Sequence, residues 1–113
     1  MKQSRGLTAL AGLSGAIAVA AGAFAAHGAS GAAARWLHTG AQYQLIHAVA
    51  TLAALNLARG RLAALFFLVG AAVFAGTLYA MAFGAPHWLG AVTPIGGMAL
   101  ILGWILLAFA AVR

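Results

Sequence analysis

A chain of 113 residues that is 65% hydrophobic and only 5% charged cannot have water as its main solvent, because soluble domains carry roughly 25% charged residues. Its mean hydropathy of +1.05 suits a bilayer, where four crossings of about 20 apolar residues each take about 80 residues and leave no space for a soluble domain. Six Lys and Arg face no Asp or Glu at all, so side-chain salt bridges are excluded. Lipid phosphates, water or helix C-terminal carbonyls must meet Lys2, Arg5, Arg35, Arg59, Arg61 and Arg113.

The first apolar segment covers residues 7–26, after the basic lead Lys2-Gln3-Ser4-Arg5. A basic start and Ala-Phe-Ala at residues 23–25 also resemble a signal peptide. However, an apolar run of about 20 residues exceeds the usual 7–15 of a signal h-region, so the segment is expected to stay as the first spanning helix. The long connection from His27 to Thr39 holds Trp36, and residues 30–38 are expected to form a short helix lying at the interface.

The second span is expected at residues 40–58 and the third at 62–83, separated by the turn Arg59-Gly60-Arg61, which is too polar for hydrocarbon. Gly84-Ala85-Pro86-His87 stops the third. Thr93 before Pro94 predicts an N-cap with proline at the first helical position, which opens the fourth span at 94–112. The expected fold is all-α, a polytopic bundle of four transmembrane helices with short loops.

Short loops are oriented by their Lys and Arg. Four crossings put Lys2, Arg5, Arg59, Arg61 and Arg113 on one side and Arg35 alone on the other, which predicts cytoplasmic termini and an outer aromatic belt of Trp36 and Trp88. Ala23-Phe24-Ala25-Ala26-His27 and Ala82-Phe83-Gly84-Ala85-Pro86-His87 resemble each other, as two hairpins related by a pseudo-two-fold along the membrane normal would.

Lipid tails are as apolar as leucine, so helices associate in a bilayer through small residues packed closely. Four-residue spacing puts Thr8, Gly12, Ala16 and Ala20 on one ridge, and Ala50, Ala54 and Ala58 on a second. The third is Ala72, Gly76, Ala80 and Gly84, with Ala99 and Gly103 on the last helix. These ridges are expected as seams inside the monomer, with an oligomer interface as the other use. Gly76 is expected to touch a neighbouring backbone, and Gly96 and Gly97 read as close packing within the last helix.

Polar residues gather in the expected outer half of the spans: Gln42, Tyr43, Gln44 and His47 on the second, Thr77 and Tyr79 on the third, with His27 and Thr93 near the same surface. Gln44, His47 and Thr51, spaced i, i+3, i+7, form one stripe that must avoid lipid. At about 12 Å below the expected start of its helix, His47 should face inward and stay neutral, one ring nitrogen donating and the other accepting. It should bond within a cluster containing Gln44, Tyr43, Thr77 or Tyr79. Two readings stay open, interhelical glue or an outward-facing polar pocket that binds a ligand or relays a proton.

Other chemistries have less behind them. His27, His38 and His87 could share the outer face, but without thiolate or carboxylate help a metal site would need two loops to converge. Bis-His haem between His27 and His47 fails on depth. Hydrolysis lacks a carboxylate to orient a histidine, a cysteine and a phosphate-binding loop. No catalytic residue, metal or cofactor is expected. Basic residues scattered at segment ends argue against nucleic acid and for membrane lipids, with a membrane-protein complex or homo-oligomer as the protein partner.

Four stretches in this order carry a resemblance across nearly the whole chain. They are Gly22-Ala23-Phe24-Ala25-Ala26-His27-Gly28, Tyr43-Gln44-Leu45-Ile46-His47-Ala48, Phe74-Ala75-Gly76-Thr77-Leu78-Tyr79, and Thr93-Pro94-Ile95-Gly96-Gly97 with Gly103-Trp104. The chain resembles the YgdD-like family of small bacterial inner-membrane proteins, a domain family of unknown function. The resemblance implies four spanning helices in the bacterial inner membrane and no established activity. The leading functional expectation is a non-enzymatic accessory or assembly factor acting by association. The alternative is a minimal transporter, channel subunit or lipid-binding protein using the pocket around His47.

Overall fold

The computed structural model describes residues 2–112, apart from the side chains of residues 2 and 3. The expectations placed on the Lys2 side chain and on Arg113 lie outside the described residues. Among the described residues the elements are α1 (Lys2–His27), α2 (Gly31–Leu55), α3 (Arg61–Ala82), a short 3-10 helix (His87–Ala91) and α4 (Thr93–Ala111).

Consecutive helices run antiparallel. Gly15 faces Ala48 and Gly22 faces Ala41 between α1 and α2, while Gly103 faces Phe67 and Gly96 faces Phe74 between α3 and α4. Helices α2 and α3 form the central pair; α1 packs on α2, α4 packs on α3, and α1 and α4 make no extended contact. A two-fold relating the hairpins would require α4 to lie on α1 as α2 lies on α3. The expected repeat is therefore not built as a closed two-fold, even though Phe24 and Phe83 stack at 5.7 Å.

Three stretches are long and apolar enough to cross a membrane by length and composition, Ser4–His27, Arg61–Ala82 and His87–Ala111. Helix α2 is as long but less apolar, because it carries Gln44, His47 and Thr51 buried inside the bundle and Arg35, His38 and Gln42 exposed. A helix whose polar stripe faces protein has no need of an apolar surface all round.

The expected start of the second span at residue 40, with a separate interfacial helix at 30–38, is corrected to one continuous helix from Gly31. Gly40 reads as a break but is a packing position: a Cβ there would lie 2.6 Å from the Tyr79 ring, so glycine lets the tyrosine lie flat on α2. The turn after α2 begins earlier than expected, since the helix ends at Leu55 and not at 58, and Arg61 already opens α3. Gly60 sits on the Ala54 carbonyl, where any side chain would collide. Gly84, at φ +105°, follows the C-cap residue Phe83 in the conformation that glycine adopts without strain, which ends α3.

The small-residue seams lie elsewhere than the four-residue ridges suggest. On α1 the buried line is Leu7, Ala11 and Ala18, whereas Thr8, Gly12, Ala16 and Ala20 are exposed. On α3 the buried line is Ala63, Ala64, Phe67, Gly70, Ala71 and Ala75. Gly76 is exposed, and a Cβ on Gly76, Gly12 or Gly84 would meet nothing within 4 Å, so the expected backbone contact at Gly76 is absent. The reason is that many residues here are Ala or Gly, so several faces of each helix present small residues and spacing alone does not select the buried one. The second ridge fares better, with Ala50 and Ala54 buried and Ala58 exposed beyond the helix end.

The tightest crossing joins α3 and α4. A Cβ on Gly96 would lie 2.5 Å from the Phe74 backbone nitrogen and 2.8 Å from the Gly70 carbonyl oxygen. Gly103 gives the same closeness to the Phe67 ring at 2.7 Å, whereas Gly97 leaves ordinary space at 3.7 Å from Phe74. Thr93 is the first residue of α4 and not its cap, which is Val92. The hydroxyl of Thr93 bonds instead to the Leu89 carbonyl at 3.3 Å and to Thr77.

Candidate functional site

The extension of α2 back to Gly31 changes the depth of its polar stripe. His47 lies roughly 24 Å from the start of the helix at 1.5 Å per residue, twice the expected depth. The stripe therefore runs through the middle of the bundle and is not an outer-surface feature. Burial follows the expected register: Gln44 is 6% exposed, His47 5% and Thr51 0%.

The polar side chains of the bundle form three separate hydrogen-bonded groups, two of them on this stripe. In the first, Gln44 bridges three helices, its Nε2 donating to Ser14 Oγ on α1 at 3.0 Å and its Oε1 accepting from Tyr79 on α3 at 2.7 Å. Gly40, one turn earlier, provides the space for the Tyr79 ring.

The second group centres on His47. Its Nδ1 lies 2.6 Å from the Tyr43 backbone carbonyl, and its Nε2 lies 3.0 Å from Trp104 Nε1. An indole nitrogen only donates, so Nε2 must accept and the ring proton sits on Nδ1, directed at the carbonyl. The pattern fits a neutral imidazole, one nitrogen donating and one accepting. The ring is enclosed by Phe67 at 5.6 Å and Trp104 at 5.8 Å, with Tyr43 stacked at 6.2 Å. Phe67 and Trp104 pack on each other at 4.9 Å. Trp104 is 44% exposed and so stands between His47 and the surroundings of α4. Thr51 closes the group by donating to the His47 carbonyl at 2.7 Å.

The third group is the pair Thr77 and Thr93, whose hydroxyl oxygens lie 2.6 Å apart between α3 and the start of α4. Thr77 also donates to backbone carbonyls of its own helix.

The single cluster expected around His47 is thus resolved into three. His47 meets Tyr43 through the backbone carbonyl and by ring stacking, and none of Gln44, Thr77 or Tyr79 is its partner. His27, at the end of α1, is exposed and joins none of the groups. His38 lines a shallow cleft with Arg35 and the alanines Ala25, Ala26 and Ala34, while His87 stands edge-on to Trp36 at 5.1 Å. Among the described residues no three His, Cys, Asp or Glu side chains gather as a metal site would need.

His47 is buried among ring side chains, and among the described residues every buried side-chain nitrogen and oxygen has a hydrogen-bond partner. Space lies elsewhere. A cleft of about 490 Å³ opens between α1 and α3, walled by Leu10, Leu13, Ile17, Leu68, Val69 and Ala72, with Ser14 and Gln44 in its floor. A second of about 310 Å³ continues it toward the Phe24 and Phe83 stack.

Sequence reasoning missed Ser14 and Trp104 as members of these groups. A signal existed for Trp104: an indole N–H deep inside an apolar helix, away from the interfacial belt, needs an acceptor. Ser14 gave none beyond being a hydroxyl near the middle of α1.

The model of the family described as a protein of unknown function (DUF423) matches residues 21–97. A UPF0382 membrane protein of Haemophilus influenzae is 45% identical over 109 aligned positions, covering 88% of each chain. The UPF0382 inner membrane protein YgdD of Escherichia coli K12 is 35% identical over 120 aligned positions, covering 97% of this chain and 92% of the relative. The Bacillus subtilis UPF0382 membrane protein YwdK is 36% identical over 108, covering 86% and 88%. No solved structure matches the chain. A family match over most of the chain, with relatives of this identity that it covers nearly end to end, makes this four-helix protein a member of the DUF423 family, the UPF0382 membrane proteins.

Proposed function

We propose that the protein is a non-enzymatic membrane component that acts by association with another membrane protein, with four crossings and both termini in the cytoplasm. The observation that carries this reading is that the buried histidine is committed to internal hydrogen bonds. Both nitrogens of His47 are bonded, Gln44 is bonded through both its amide nitrogen and its oxygen, and the chain has no side-chain carboxylate or thiol. What remains available is surface. Thr8, Gly12 and Ala16 of the α1 ridge are exposed and line neither cleft, and small residues there allow another helix to approach closely.

A photo-crosslinking residue placed at Ala16 in intact membranes is expected to give one discrete protein adduct, abolished by Gly12→Leu, while the same residue at Ile101 on α4 gives lipid adducts. Lipid adducts alone at both positions would contradict association through α1. Orientation has its own test, because Arg5, Arg59 and Arg61 share the end of the bundle opposite Arg35. A reporter fused after residue 113 that is active only outside the cytoplasm would reverse it.

The second reading, a lipid-binding protein, is favoured by one observation, the α1 and α3 cleft. Gln44 and Tyr79, two residues of the expected pocket, line this cleft and its continuation.

A further inference from the structure

We propose that the cleft between α1 and α3 binds a membrane-soluble molecule combining an apolar tail with a carbonyl acceptor, of the long-chain quinone class, its oxygen meeting Ser14 and Gln44. This deepens the lipid-binding reading and rests on it.

The walls of the cleft are aliphatic, from Leu10, Leu13 and Ile17 on one side and Leu68, Val69 and Ala72 on the other. On the α3 side the small residue Ala72 leaves space in the wall. The Phe24 and Phe83 stack lies at the far end of the continuation. Such a groove suits a hydrocarbon tail.

The floor adds polar groups with hydrogens still to give. Tyr79 gives its proton to Gln44 Oε1, and Gln44 gives one amide hydrogen to Ser14 Oγ. A primary amide carries two donors and a serine hydroxyl carries one. Among the described residues the second amide hydrogen and the Ser14 hydroxyl hydrogen have no acceptor, whereas Thr51 gives its hydrogen to the His47 carbonyl and the Thr77 and Thr93 hydroxyls are bonded to each other and to backbone carbonyls. Two hydrogens without acceptors in apolar surroundings favour a ligand that accepts, and a carbonyl oxygen accepts twice.

Depth selects the class. Gln44 lies roughly 17–20 Å from either end of α2 at 1.5 Å per residue, which puts it near the bilayer middle. Phospholipid ester carbonyls sit at the edge of the hydrocarbon core, about 15 Å from the midplane. They cannot reach this floor while their headgroups stay in water. A quinone headgroup, uncharged and without that anchor, can enter the interior.

The test is thermal unfolding of the whole protein in phosphatidylcholine nanodiscs, titrated with decyl-tailed benzoquinone or with decylbenzene. A ligand of the folded state raises the midpoint with its saturation. Decyl-tailed benzoquinone is expected to act at a concentration about tenfold below decylbenzene, the effect of about one hydrogen bond. Gln44→Leu should weaken the quinone response about tenfold. Because that change also strands the Tyr79 hydroxyl, Ala72→Phe, which fills the cleft and keeps every hydrogen bond, should weaken both responses. Equal responses to the two compounds, both lost in Ala72→Phe, would overturn the carbonyl claim and keep the lipid-binding reading. No response to either, or responses indifferent to Ala72→Phe, would overturn both.

Discussion

Replacing Gly96 with leucine is expected to abolish the folded bundle, and Gly96→Ala to destabilise it by about 1–3 kcal/mol, the cost of overpacking a tight interior. A Cβ at this position would meet the Phe74 nitrogen and the Gly70 carbonyl. Both are backbone atoms, so no rotamer change relieves the clash and α3 and α4 must move apart. That separation would also loosen Gly103 from Phe67 and with it the ring packing that encloses His47. Gly76→Leu and Gly12→Leu serve as controls, since a Cβ at either meets nothing within 4 Å; each should change stability by less than about 0.5 kcal/mol. Unfolding in mixed micelles measures all four. A neutral Gly96→Ala beside a destabilising Gly76→Leu would mean that the helices pack on the other face of α3.

Trp104→Phe is expected to cost about 1–3 kcal/mol, mostly by stranding the Nε2 acceptor of a histidine that is 5% exposed. Phenylalanine keeps most of the ring contact with Phe67 and removes only the indole donor. His47→Leu strands the opposite partner, but Trp104 is partly exposed and its N–H is less confined. The double substitution removes both halves of the bond, so it should be less costly than the two single changes added together. A coupling of about 0.6–1.7 kcal/mol is the range of interhelical hydrogen bonds in membranes. Strict additivity would mean that the hydrogen bond contributes nothing to holding α4 on the central pair.

Much of the fold was legible because its signals are local. The Arg59-Gly60-Arg61 turn, the stop at Gly84 and Pro86, and the apolar runs of α1, α3 and α4 each follow from a few neighbouring residues. Residues 30–55 were misdivided because Gly40 has two physical uses, ending a helix or admitting a ring. Only the partner ring of Tyr79, 39 positions along the chain, decides between them. That error carried into the site, since it placed His47 in the outer half and made a surface pocket natural.

The stripe of Gln44, His47 and Thr51 was readable from helical spacing, because burial of a polar face is a property of one helix. Its partners were not, because pairing depends on which helices cross at which depth. The ridges on α1 and α3 failed for a related reason. Where Ala and Gly occupy several faces, spacing marks surfaces that can pack closely without saying which of them does.

The claim on which the rest depends is that the buried histidine is a neutral structural element held between the Tyr43 carbonyl and the Trp104 indole. Nitrogen-15 NMR of the histidine ring in the reconstituted protein tests it directly. The account predicts a proton on Nδ1 and a bare Nε2 whose resonance is shifted by the indole hydrogen bond and loses that shift in Trp104→Phe. A proton on Nε2, or on both nitrogens, at neutral pH would contradict it.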